Sequence, residues 1–239
     1  VGCDVTAPFD PASVPDATAF LARLLRLDET AYVRLRTAGA GTGLVALWAR
    51  LPWGVLVTRT VAAAVGQDAT VRAADLLAGL TQSTLTAPTG LPARDGSAWL
   101  PARHDSAWRW PLPPGRSRVV ERLPAAEVHR VAVAAAGTVR TAATAGIGGR
   151  PVGSRALRDA LLDHVPIVVT AEGRRIEVPQ RLVQAVVRMG FLGPSSGAQS
   201  AAGKLVLVNV DGRWVGLAAD FGTAWHLPRA ARLQLQSQN

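Results

Sequence analysis

With 239 residues, 49% hydrophobic and 18% charged, the chain is long and apolar enough to bury a core, which excludes a disordered polymer. No run of about 18 uncharged apolar residues occurs, so no membrane-crossing helix is expected. A net charge of +9, carried almost wholly by arginine since Lys204 is the only lysine, favours a polyanionic partner.

The charge is uneven: residues 121–239 hold 14 basic and 8 acidic side chains, against 12 and 9 in residues 1–120. The opening "VGCDVTAPFDP" has no basic region followed by an apolar core, so no signal peptide is expected. Cys3 is the only cysteine and cannot form an internal disulfide, so the expected setting is reducing and cytoplasmic.

In chain order, "PDATAFLARLLRLDE" (15–29) predicts a helix with Phe20, Leu21, Leu24, Leu25 and Leu27 on its apolar face. "AYVRLRTA", "GLVALWAR" and "GVLVTRTV" read as three strands of an antiparallel meander, separated by Gly39–Gly43 and by Pro52–Trp53–Gly54. "DATVRAADLLAGL" (68–80) reads as a second helix. Residues 81–118 then carry six prolines and Trp99, Trp108 and Trp110, which no continuous helix or central strand tolerates. The tryptophans are expected to pack this excursion against the core, and "WPLPPGR" has the composition of a polyproline-type ligand.

Beyond it, Pro124 suits the first turn of a helix to about Thr144, whose face of Val128, Val131, Ala132, Ala135, Val139 and Ala142 implies close approach of a partner helix, within the chain or across a dimer. "AGIGGRPVG" breaks that helix, and Ser154 caps the next, "RALRDALLDH". "VPIVVTAEGRRIEVP" reads as a strand pair turning at Glu172–Gly173. Helix 180–191 follows, and "KLVLVNVDGRWVGLAA" turns at Asp211–Gly212. The expected organisation is an α+β protein in three parts. Residues 1–80 form an N-terminal antiparallel meander flanked by helices, 81–118 a Pro/Trp-rich connection, and 119–239 a winged-helix-like half.

Helix 180–191 is the most informative stretch. Leu182, Val183, Ala185, Val186, Val187 and Met189 share a broad arc, and Gln180, Arg181, Gln184 and Arg188 the remaining one, with Gly190 as a left-handed stop. The order helix, helix, strand, helix, hairpin resembles a winged helix, apart from the extra strand pair at 165–178. That resemblance implies double-stranded DNA as partner, with Gln180, Arg181, Gln184 and Arg188 reading base edges and Arg174, Arg175, Lys204 and Arg213 contacting phosphates. The alternative is a protein-interaction or assembly module, binding a protein partner or a second copy through the Trp/Pro-rich segment and helix 124–144.

Enzymatic signals are thin. His104, His129, His164 and His226 are scattered, with no H-E-x-x-H and no paired cysteines, so neither a metal nor another cofactor is expected. "GIGGRPVG" (146–153) lacks the G-x-G-x-x-G spacing, Gly203–Lys204 is followed by Leu205 and forms no phosphate loop, and "GPSSGAQSAAG" reads as a flexible loop. No nucleophile with an acid and a base can be assembled from spacing.

Overall fold

The computed structural model describes residues 9–39, 41–65, 67–86, 100–145, 154–193 and 203–228. Cys3, Trp99, the glycine-rich 146–153 stretch and most of the 193–203 loop lie outside the described residues.

A single turn of 3-10 helix, Pro11–Ser13, leads into α1 (Val14–Leu27), which buries Val14, Ala17, Phe20, Leu21 and Leu24. Three antiparallel strands follow as the alternation demands: β1 (Tyr32–Thr37), β2 (Leu44–Arg50) and β3 (Leu56–Ala62). The expected helix at 68–80 is split. Ala69–Arg72 forms a short strand, β4, beside β1, and α2 runs over Ala73–Thr86. The β-branched Thr70 and Val71 suit a pleated backbone, and segment 103–105 holds them there. His104 N–H donates to Thr70 O at 2.7 Å, and Thr70 N–H donates to Asp105 Oδ1 at 2.8 Å.

The second half opens with β5 (Arg118–Pro124), followed by α3 (Ala125–Ala145) and α4 (Ser154–Asp163). A separate hairpin, β6 (Ile167–Ala171) with β7 (Arg174–Val178), precedes α5 (Gln180–Arg188). The chain ends its described part in a second meander: β8 (Leu205–Asp211), β9 (Trp214–Ala219) and β10 (Gly222–His226). Neither β5 nor β10 is among the elements expected from sequence.

Eight strands join into one antiparallel sheet in the order β4-β1-β2-β3-β10-β9-β8-β5. The order reads the same from either end: an outer strand, then a meander, with a seam between β3 and β10. There Leu56, Val57 and Thr58 stand opposite Trp225, Ala224 and Thr223. One apolar core serves both halves, running from Phe20 and Leu24 of α1 through Leu47 and Val57 to Leu182 and Val186 of α5 and Val208 and Leu217. The opposite sheet face carries a smaller cluster. Leu56, Trp214 and Trp225 are buried there beneath Trp48, Trp108, Leu112 and Leu227. The fold is therefore α+β with a large antiparallel sheet and few helices, and the described residues form no winged helix.

Candidate interaction surface

The helix expected to read DNA does not project from the protein. Five of the nine residues of α5 are buried, Gln180 included at 2% exposure. Arg181 forms an ion pair with Asp163, and its guanidinium donates to Trp53 O at 2.7 Å. The Trp53 indole N–H donates back to Arg181 O at 3.1 Å, so the β2–β3 turn is stapled to the helix. Gln184 donates through Nε2 to Ala132 O on α3 at 3.2 Å. Only Arg188 of this set is exposed, and it lies over the Trp53 ring. The expectation that Gln180, Arg181, Gln184 and Arg188 read base edges is thus corrected: three of the four are turned into the protein. The polar arc faces α3 and the β2–β3 turn, both beyond the reach of a helical wheel.

The expected wing is also absent. β8 pairs with both β5 and β9, and β9 with both β8 and β10, so the Asp211–Gly212 hairpin lies inside the sheet with no free edge. Lys204 and Arg213 sit at opposite ends of the seven-residue β8, about 20 Å apart or more at 3.4 Å per residue. Lys204 lies near Asp220 and over the Phe221 ring, and Arg213 donates to Pro228 O. Arg175 pairs with Glu177, while Arg174 is exposed on the separate β6–β7 hairpin. These residues form no continuous groove-reading face, and DNA binding through a winged helix is overturned.

The fold also forms a groove of mixed character. About 440 Å³ in volume, it lies between α3 and the β6 hairpin, lined by Leu123, Val131, Pro166, Ile167 and Val168 together with Glu127 and Arg130. Val168 is 44% exposed there. The other face of α3 is taken within the chain, since Val128 and Ala132 are buried and α5 reaches the Ala132 carbonyl. The small side chain of Ala132 permits that close approach.

Of the Pro/Trp-rich segment, the described part around Trp108–Leu112 lies on the opposite side of the sheet, as its tryptophans suggest. Trp108 and Leu112 cover the Trp214–Trp225 cluster, and Trp110 stands against Trp108 with ring centroids 5.8 Å apart. Arg50 lies over Trp110, which remains 37% exposed. At the far end, the buried carboxylate of Asp211 accepts N–H bonds from Gly115 at 2.7 Å and Arg116 at 3.1 Å. Sequence shows Asp211 only as a turn residue. Its role as an anchor depends on a segment about 95 positions away.

His104 packs edge-on to Tyr32, His129 and His164 are exposed, and His226 lines a cleft of about 300 Å³ with Asp163, Glu177 and Arg181. Among the described residues, no group of three His, Cys, Asp or Glu side chains could hold a metal ion. No helix among them is long and apolar enough to cross a membrane.

The architecture is that of an α+β protein whose two meanders share one eight-stranded sheet, with a separate two-stranded hairpin, helices on one face and a tryptophan-covered patch on the other. Residues 112–231, just over half of the chain, match the family described as Domain of unknown function (DUF8185), and the chain belongs to that family. Residues 6–101 match a second family, Domain of unknown function (DUF8010). No curated protein matches. Among solved structures, it is similar to a DNA polymerase sliding clamp from Pseudomonas aeruginosa with ligand, at 10% identity and a TM-score of 0.48 over 90% of this chain and 62% of that one. It is also similar to the sliding clamp of Caulobacter crescentus, at 13% identity and 0.49 over 91% and 65%. The chain spans under two thirds of the length of either clamp.

Proposed function

We propose that this chain is a protein-interaction module, and that the groove between α3 and the β6 hairpin receives apolar side chains of a protein partner. The observation that carries this reading is the exposed Val168 on ordered backbone, grouped in that groove with Leu123, Val131 and Ile167. Burying such surface is worth about 25 cal/mol per Å² of apolar area, the main driving force of protein association.

The partner docks by side chains and not by adding a strand. The β5 edge beside the groove is poorly suited to pairing: its ladder to β8 is interrupted between Val119 and Glu121, and Pro124 has no N–H. The Arg122 N–H is already accepted by the Glu121 carboxylate at 2.7 Å.

A photoreactive side chain placed at Val131 or Val168 should give a discrete protein adduct in the native cell, and one at the exposed Thr30 in the turn between α1 and β1 should not. Val168→Asp should abolish the adduct formed from Val131. Sedimentation of the purified chain then identifies whether the partner is a second copy. Equal labelling from all three positions would refute the reading.

A further inference from the structure

Residues 110–116, Trp-Pro-Leu-Pro-Pro-Gly-Arg, do more than cover the tryptophan cluster. Each proline ring fixes φ near −65°, and a residue preceding proline is pushed towards extended or polyproline geometry. Pro111, Pro113 and Pro114 carry the first constraint, and Trp110, Leu112 and Pro113 the second. The stretch 110–114 is therefore held as a polyproline ribbon, and it lies outside every strand although it runs beside a sheet.

Such a ribbon has three residues per turn and so three ridges. Leu112 forms the ridge seated on the cluster of Leu56, Trp214 and Trp225. Pro111 and Pro114, three residues apart, form a second ridge, and both are exposed. Trp110 and Pro113 form the third, which is partly accessible. Gly115, at φ +87°, then turns the chain, and Asp211 fixes the N–H groups of Gly115 and Arg116. The Arg116 side chain is left exposed, with no ion-pair partner among the described residues.

We propose that Pro111–Arg116 is a preformed ligand for a polyproline-recognising domain. Pro111 and Pro114 would enter its aromatic-lined groove, and Arg116 would meet a carboxylate beside that groove. A free peptide of this sequence must be ordered on binding, whereas this one is already held at Leu112 and Asp211. The proposal rests on the interaction-module reading and names a partner class for a second surface of the same module.

The test measures binding of purified SH3 and WW domains, as probes, to the immobilised full chain. At least one domain is expected to bind saturably. Arg116→Ala should weaken it about tenfold, the effect expected from removing one charge-assisted hydrogen bond, and Pro114→Ala by a comparable factor. The urea midpoint of Arg116→Ala should match the parent because that side chain is exposed, and Pro114→Ala should lower it only slightly, through the freer unfolded chain. Absence of binding across the panel, or binding indifferent to Arg116→Glu, overturns the proposal and leaves the segment as a strap over the tryptophans. If adducts from Val131 persist in that case, only this inference falls. If they too are absent, the module reading falls with it.

Discussion

The seam between β3 and β10 makes a sharp stability prediction at Gly222. This residue opens β10 at φ +150°, a backbone region that side-chain-bearing residues rarely adopt. A Cβ there would lie 2.6 Å from the Phe191 ring and 2.7 Å from the Thr58 carbonyl oxygen. The ring is fully buried, and the carbonyl belongs to the strand paired with β10, so neither can simply rotate away. Backbone strain costs about 1–3 kcal/mol and the forced overlap a similar amount, so Gly222→Ala should destabilise by roughly 2–6 kcal/mol. Gly212→Ala is the control. It has φ +60° but open space around its Cβ, so it should cost only about 1–2 kcal/mol. Urea unfolding followed by tryptophan fluorescence measures both, with the slope checking that the transition stays two-state. If Gly222→Ala costs no more than Gly212→Ala, the close approach at the seam does not exist.

Three further outcomes are expected. Arg181→Ala should lose about 1–2 kcal/mol by thermal or urea unfolding, because its half-buried guanidinium bonds Trp53 O while the Asp163 carboxylate it pairs with is exposed and screened; a loss under about 0.5 kcal/mol would return this residue to an ordinary exposed surface. Gln180→Met should be neutral or stabilising by up to about 1–3 kcal/mol, since the buried amide has no hydrogen-bond partner among the described residues; a clear loss in the same assay would show that the amide is bonded. The Thr70 N–H, with Arg103 assisting, holds the Asp105 carboxyl below the ordinary carboxylate range. A depressed folded pKa contributes stability above the unfolded carboxylate value of about 4, lost as pH falls through the folded one. Exchange of the Thr70 amide should therefore accelerate below that range in the parent and show no such step in Asp105→Asn.

The parts of the fold legible in sequence are those set by local periodicity. Tyr32, Arg34 and Arg36 alternate with Val33 and Leu35, and Asp211–Gly212 marks its hairpin without help from the rest of the chain. β5 was not legible because its bulge breaks the alternation, leaving two exposed residues in succession on either side of Val120. β10 is only five residues long and begins with glycine, so its identity as a strand comes from β3 and β9. The site was misread for a related reason. A wheel shows that Gln184 and Arg181 are polar, but their partners, Ala132 O, Asp163 and Trp53, are fixed by packing of distant segments. Trp108 was legible because a large ring in a segment without its own secondary structure has few places to go except the core.

The seam also sets a timetable for biosynthesis. β3 is complete at Ala62, while the strand that covers its Leu56–Thr58 stretch begins at Gly222. At about 5–20 residues per second, the ribosome needs roughly 10–30 s to make the chain in between. Throughout that interval the first meander exists with a strand edge lacking both proline and bulge, unlike β5 at the outer end of the finished sheet. Two nascent chains on one polysome could pair these edges with each other before either has made its own β10. The last strand synthesised in the described structure is thus the one that makes the first-formed half safe from its neighbours.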